Sequence, residues 1–275
     1  MLNYQVHTHG KNSPWVVFLH GAGGSLKTWT YQIGAFEDHF NILLIDLRDH
    51  GMSKDVVPSR ERYSFSLISE DIKTVLDKVG VEKAHFLTLS FGSVLVQDFI
   101  MRYPEKVERL VIAGGIFKGN IFIKSFVQLA RFMNVFLKYH TMYSLFSYLL
   151  MPRKRNQKAR RIYQMQAAKL THEEYLKWIG LYKEFFRLLG NFFNQQLPVK
   201  TLIVMGGEDY IFLKAAKEFA KRQRNARINV VPYTGHIVNI EAPEQFNHLA
   251  VSFLKRVKNE YNTPQESASP VPLYQ

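Results

Sequence analysis

The chain has no cysteine among its 275 residues. A disulfide framework, thiolate chemistry and cysteine-based metal sites are therefore excluded. The composition fits a reducing compartment, and a cytoplasmic location is the expectation. Long hydrophobic runs are missing as well. No stretch of 18 or more uncharged apolar residues occurs, and the best candidate, Tyr139 to Met151, is too short to cross a bilayer. The first residues, MLNYQVHTHGKNS, lack a basic start followed by an apolar stretch, so no signal peptide is expected. There is no internal repeat. Acidic residues are the scarce charged class, 23 against 36 Lys and Arg, which leaves a formal net charge of +13. No recognised nucleic-acid-binding motif accompanies that charge, so nucleic acid is not an expected partner.

What is present is a regular alternation. Apolar stretches near 15–19, 41–46, 84–89, 108–113, 201–205 and 228–232 read as strands, and segments near 28–36, 66–79, 93–102, 214–224 and 243–258 read as helices. Continuous runs such as Pro14-Trp15-Val16-Val17-Phe18-Leu19 suit strands buried on both faces. The alternation predicts an α/β fold, a doubly wound and mostly parallel sheet with helices on both faces. Between Ile116 and Leu197 the strand signal disappears. That segment is too long for a loop and reads as helices throughout. The end of the chain, Asn262 to Gln275, is polar and rich in proline, a composition expected to be disordered. The expected organisation is a core formed by 1–115 and 198–260, a helical insertion at 116–197 and a tail at 261–275.

The most informative stretch is 84–97, AHFLTLSFGSVLVQ. His85 to Leu89 suit a buried strand, and from Ser93 onward the chain reads as a helix. Ser90 sits at the junction, with Gly92 two residues later. A turn that sharp strains the serine backbone, lifts its Oγ clear of the sheet edge and sets it over a helix N-terminus that favours developing negative charge. Upstream, a predicted strand ends in His20-Gly21-Ala22-Gly23-Gly24-Ser25. Downstream, Thr201 to Met205 leads into Gly206-Gly207-Glu208-Asp209, and Asn229 to Tyr233 leads into Thr234-Gly235-His236. Serine, acid and histidine thus each follow a strand. In a parallel sheet such loops emerge at one edge, where ligands of open α/β folds bind.

On these residues the chain resembles the α/β-hydrolase fold family from about Val6 to about Val257. The loop HGxG is met by His20, Gly21, Ala22 and Gly23, and the strand-four loop D-x-R-x-H-G-x-S by Asp46, Arg48, His50, Gly51 and Ser53. G-x-x-D is met by Gly206 and Asp209. The terminal G-H…E-x-P-E-x-F is met by Gly235, His236, Glu241, Pro243, Glu244 and Phe246. There are two departures. Thr88 stands where the elbow G-x-S-x-G has its first glycine, and Asp49 stands where a glycine is common in the strand-four loop.

The resemblance implies a serine hydrolase with Ser90 as nucleophile, His236 as base and Asp209 as the acid that orients it. Glu208, one residue earlier, is the rival acid, and family spacing from Gly206 favours Asp209. The backbone N–H groups of Ala22 and Phe91 are the implied oxyanion hole. No cofactor and no metal are implied. Of the ten histidines, only His236 sits after the last strand with a glycine before it and a helix after it, while His20 and His50 belong to loops where histidine braces backbone. Asp46, Arg48 and Asp49 are likewise expected to brace loops. A serine nucleophile argues against dehalogenase and epoxide hydrolase chemistry, which in this family use aspartate. A carboxylesterase or lipase-like enzyme is the leading reading. A lactonase, a thioesterase, a carbon–carbon bond hydrolase and a ligand-sensing signalling protein with an intact triad remain open.

The resemblance also implies that the helical insertion caps the active site. From Phe117 to Leu197 there are 14 Lys and Arg against three Glu, and 17 of the 38 aromatic residues. On 121–139, Lys124, Gln128, Arg131 and Lys138 fall on one helical face. On 171–189, Thr171 and Glu174 form a capping box, and Tyr175, Ile179, Tyr182 and Phe186 make an apolar stripe. A basic cluster, Arg153-Lys154-Arg155 with Lys158, Arg160 and Arg161, lies between them. The expectation is a large apolar pocket for a small hydrophobic substrate. The cap's charge also suggests peripheral contact with an anionic membrane.

Overall fold

A computed structural model describes residues 1–54, 63–119, 121–133 and 139–255. Seven strands form one sheet: β1 (Tyr4–His7), β2 (Trp15–Leu19), β3 (Asn41–Ile45), β4 (Ala84–Leu89), β5 (Val107–Ala113), β6 (Lys200–Gly206) and β7 (Ala226–Val231). Their order is β1-β3-β2-β4-β5-β6-β7. Every pairing is parallel except β1 on β3, which is antiparallel. The sheet is doubly wound and mostly parallel, as the alternation predicts. β3 and β4 are buried at every position, which is why they read as unbroken apolar runs. β1 carries no such run. It is a short edge strand, half exposed along its length, and its sequence YQVH leaves no trace that an apolar count would register.

The flanking helices are α1 (Thr30–Glu37), α2 (Phe65–Val79), α3 (Gly92–Arg102), then α9 (Leu213–Arg222), α10 (Val238–Glu241) and α11 (Pro243–Lys255). Between β5 and β6 lie five more: α4 (Ile121–Met133), α5 (Tyr139–Leu150), α6 (Gln157–Ala167), α7 (His172–Gly180) and α8 (Tyr182–Asn194). This is the inserted, all-helical cap. It meets the core through aromatic contacts among others. Phe185 stacks on Phe91 at 5.4 Å, and Trp178 meets Phe91 at 5.6 Å and His50 at 4.8 Å between ring centres.

One expectation changes. The 171–189 pattern is two helices, because α7 stops at Gly180 and Leu181 turns the chain into α8. The capping box does start α7: Thr171 Oγ1 accepts from the Glu174 N–H at 3.2 Å, and Glu174 Oε2 accepts from the Thr171 N–H at 2.6 Å. On α4, Lys124 and Gln128 are exposed. The Arg131 side chain, all of Lys138 and the tail at 261–275 lie outside the described residues. No described helix is long and apolar enough to cross a membrane.

Candidate active site

The turn between β4 and α3 holds Ser90 at φ +53°, a left-handed conformation that costs a residue with a Cβ on the order of 1–3 kcal/mol. The surroundings enforce it. The Ser90 N–H donates to the Ala113 carbonyl at 3.0 Å, and α3 begins two residues later. Gly92 must lack a side chain, since a Cβ there would lie 2.3 Å from Thr88 Oγ1 and 2.9 Å from the His20 carbonyl. Thr88, the elbow's departure from glycine, is fully buried and its hydroxyl has no hydrogen-bond partner among the described residues. Its bulk is taken up inside the turn, beneath Gly92.

Ser90 Oγ lies 2.8 Å from His236 Nε2, and His236 Nδ1 lies 2.8 Å from Asp209 Oδ2. The carboxylate accepts at Nδ1, so the proton sits there and Nε2 is free to accept from the serine hydroxyl. Asp209 is itself oriented, its Oδ1 accepting from the Phe212 N–H at 3.0 Å. Both Asp209 and His236 are 1% exposed. Glu208 faces the other way. Its carboxylate meets Arg155 at 3.7 Å and Arg153 at 4.0 Å. The rivalry left by the sequence is therefore resolved geometrically in favour of Asp209 as the histidine's partner.

Ala22 and Phe91 line the same cavity as Ser90, and neither backbone N–H has a protein acceptor among the described residues. The loops around them are saturated with hydrogen bonds. His50 Nε2 accepts from the Gly23 N–H at 3.0 Å, while its Nδ1–H donates to the Arg48 carbonyl at 2.7 Å. His20 does the same between Leu47 N–H (3.0 Å) and the Gly21 carbonyl (2.8 Å). Each ring must be neutral to accept as well as donate. Burial lowers the His50 pKa and takes that of His20 down to about 3. Asp46 accepts from Leu26 N–H, Met52 N–H and Asn3 Nδ2 at 2.7–2.9 Å, and Arg48 pairs with Asp71. These residues brace loops, as expected.

Two contacts escaped the sequence reading. Asp49 Oδ2 accepts from Tyr63 O–H at 2.6 Å and from Trp178 Nε1–H at 3.1 Å, tying the loop after β3 to the cap. That gives the second departure from the family pattern a physical role. Glu241 accepts from the Gly235 N–H at 2.9 Å and from Asn156 Nδ2, joining the histidine loop to the start of α6. Asp49 was visible as a departure from glycine and Glu241 as part of the terminal motif. Their partners lie 129 and 85 residues away, beyond any spacing rule.

Above Ser90 is a cavity with about 210 Å³ open to the centres of water-sized molecules. Tyr175, Ile179, Tyr182 and Phe186, the expected stripe, all line it, joined by residues of α4, α5 and α6. His236 is the only titratable lining residue apart from the tyrosines, and no Lys, Arg, Asp or Glu lines it among the described residues. Four of the cap's cations meet partners away from the cavity. The Arg153 guanidinium donates to Tyr210 O–H at 2.8 Å, Arg155 lies over the Tyr233 ring, Lys158 lies over Tyr31, and Arg160 lies over Tyr148 with bonds to the Met151 and Arg153 carbonyls. Among the described residues no group of three or more His, Asp or Glu side chains converges as a metal site would.

A family model described as "alpha/beta hydrolase fold" matches residues 14–243. A Bacillus subtilis protein named putative 2-succinyl-6-hydroxy-2,4-cyclohexadiene-1-carboxylate synthase is 27% identical over 93% of this chain and 96% of its own. Mouse epoxide hydrolase 3 is 33% identical over 42% of this chain, a match spanning only 30% of the mouse protein. Among solved structures, the enol-lactonase from Burkholderia xenovorans LB400 superposes with a TM-score of 0.75 at 22% identity, covering 93% of this chain and 96% of that one.

Proposed function

Because the chain belongs to the alpha/beta hydrolase fold family, we infer that it is a serine hydrolase cleaving an ester-type bond of a neutral, hydrophobic substrate through an acyl-enzyme. The observation that carries this reading is the 2.8 Å contact on each side of His236, opening onto an apolar cavity. Ser90 Oγ attacks the substrate carbonyl as His236 Nε2 takes its proton. The oxygen that becomes negative is held by the Ala22 and Phe91 N–H groups. Each such donor contributes about 2.7–4 kcal/mol to lowering the barrier in a comparable serine enzyme. His236 then returns the proton to the departing alkoxide, leaving the acyl group on Ser90. Water repeats the sequence from the same face and releases the acid. Asp209 holds the imidazole in the required tautomer and stabilises its cationic form without taking the proton.

The lining argues for a neutral substrate. The Bacillus subtilis relative is named for a carboxylate, as are the dienedioate hydrolases of Paraburkholderia phymatum and Cupriavidus pinatubonensis, by the "-dioate" in their names. A carboxylate in this cavity would be desolvated with no cationic side chain to meet it, at a cost of several kcal/mol. Epoxide chemistry of the kind that uses an aspartate nucleophile has no such residue at the elbow.

The test is a chain-length series of p-nitrophenyl esters. kcat/KM should rise from acetate to at least octanoate, since each methylene buried contributes up to about 0.8 kcal/mol. A flat or falling profile would remove the hydrophobic-acyl reading. No turnover of any ester would remove the ester-hydrolase reading.

A further inference from the structure

Apart from Ser90, His236 and the rings of Tyr175, Trp178 and Tyr182, the polar lining of the cavity lies at one corner, over the Gly21 to Gly24 loop. There Gln166 Oε1 receives Thr28 O–H at 2.9 Å and Ser25 O–H at 3.3 Å. Both hydroxyl oxygens already accept a backbone N–H, from Ser25 at 3.4 Å and Lys27 at 3.3 Å, so their own protons are free to donate. The amide has its carbonyl facing Ser25 and Thr28, which have protons to give it. Its NH2 group has no protein acceptor among the described residues, and Gln166 lines the cavity. One turn back on α6 is Tyr163, whose ring lies 5.8 Å from that of Tyr143 on α5. Tyr143 is pressed onto the oxyanion loop. Gly23 has φ +71°, and a Cβ on it would lie 2.9 Å from Tyr143 Cε1, 3.3 Å from Cζ and 3.1 Å from Ala167 Cβ. Only glycine lets the phenol come so close to the residue after Ala22.

Neither phenol has a hydrogen-bond acceptor among the described residues, and both line the cavity with Ser90. Burial pushes the pKa of each tyrosine up, so both remain O–H donors at working pH. Three donor groups, from Gln166, Tyr143 and Tyr163, therefore lie on neighbouring turns of α5 and α6 in the cavity lining, with no acceptor among the described residues. A hydrocarbon substrate seated there would expel their water and strand them, at roughly 1–3 kcal/mol for each group left unpaired. Among the described residues no Lys or Arg lines the cavity beside them to favour an anion.

We propose that Gln166, Tyr143 and Tyr163 form a hydrogen-bond-donating subsite that recognises a second, uncharged acceptor oxygen of the substrate, a carbonyl, ether or hydroxyl oxygen set apart from the bond that is cleaved. The substrate class is then an oxygen-substituted acyl or alkyl ester, such as an alkoxy, oxo or hydroxy derivative, and not a plain hydrocarbon ester. The subsite rests on Ser90 chemistry for its catalytic meaning, but its existence as a binding feature does not. Sites built to hydrogen-bond a substrate oxygen discriminate strongly against analogues that lack it.

The experiment compares esters of matched length in which one methylene is replaced by oxygen at successive positions, on the acyl side and on the alcohol side. Each is scored as its kcat/KM over that of the all-carbon ester in the same protein. Comparing these ratios between wild type and variants cancels the intrinsic effect of the ether oxygen on carbonyl reactivity. One position should stand out in the wild type by about tenfold or more, and that advantage should shrink at least fivefold in each of Gln166→Met, Tyr143→Phe and Tyr163→Phe. A purely structural role would lower both esters together and leave the ratio unchanged. Absence of any favoured position, or a favoured position that survives all three substitutions, overturns the proposal. If no ester is turned over at all, the Ser90 reading has failed separately. The subsite is then tested in the Ser90→Ala protein by calorimetric binding of the favoured ether ester against its all-carbon twin. Tighter binding of the ether that disappears in Gln166→Met supports the subsite, and equal binding overturns it.

Discussion

The loops of the core and the wall of the cap handle their polar groups in opposite ways. Around the Gly21 to Gly24 loop the core's buried side chains are taken up in bridging hydrogen bonds. His20 and His50 each bridge two backbone groups, Asp46 gathers three donors, and Glu241 holds Gly235. The N–H groups of Ala22 and Phe91 are left over, where negative charge would develop. The cap spends its contacts on ring packing and on cations laid over aromatic faces. It leaves three donors open toward the cavity. Under the proposed function the difference separates two tasks: the core fixes where the reaction happens, and the cap selects what reaches it.

The comparison is broken most severely at the core. Ser90→Ala should reduce kcat by about 10⁶, the scale seen when a triad nucleophile is removed, with an unchanged far-UV spectrum. Asp209→Asn should cost on the order of 10⁴, whereas Glu208→Gln, whose carboxylate faces Arg153 and Arg155, should stay within about threefold. Reversal of that pair in steady-state kinetics would make Glu208 the orienting acid. A smaller effect is expected where the two regions are joined. Asp49→Ala strands Trp178 Nε1 and Tyr63 O–H, a loss of about 1–3 kcal/mol that should appear as a lower melting temperature and a raised KM more than as a reduced kcat. An unchanged melting temperature would show that this link does not hold the cap.

Acid should act on the core side of the comparison. Burial depresses His20 to about 3 and, with help from Arg109, His85 to about 4, while an unfolded chain titrates at 6.5. Between those values the unfolded state binds more protons, so these histidines favour the folded protein above pH 6.5 and that advantage is lost as pH falls toward 3–4. The melting temperature should therefore drop from pH 7 to pH 5, and His85→Phe should make the drop shallower. A melting temperature that climbs on acidification contradicts the neutral assignments. The smallest effect belongs to salt. With no Lys or Arg among the described residues lining the cavity, kcat/KM for a neutral ester should change less than twofold between low and high ionic strength, and a steep salt dependence would return the cap's charge to the substrate path.

How much was legible follows the same division. Buried parallel strands announce themselves as apolar runs, and glycines at strand ends mark the elbow and the oxyanion loop. Ser90, Asp209 and His236 therefore stand out before any geometry is known. β1 did not, because an edge strand of four half-exposed residues needs no apolar run. The cap showed its helices and its stripe, yet the turn at Leu181 and the donor corner were hidden. Tyr143, Tyr163 and Gln166 sit in ordinary helical positions, and only the approach of α5 and α6 to Gly23 gives them meaning. Net charge did not show local partners, since Arg153, Arg155 and Arg160 of the basic cluster meet rings or carbonyls of the protein itself.

The claim that Ser90 carries the acyl group can be read directly. The protein is mixed with an excess of p-nitrophenyl octanoate, quenched in acid within the first turnovers, digested and analysed by mass spectrometry. The account predicts an octanoyl group on the peptide that contains Ser90, formed with a burst of p-nitrophenol and absent in Ser90→Ala. An octanoyl group on another residue, or steady turnover of the ester with no acylated peptide and no burst under any quench time, would contradict it.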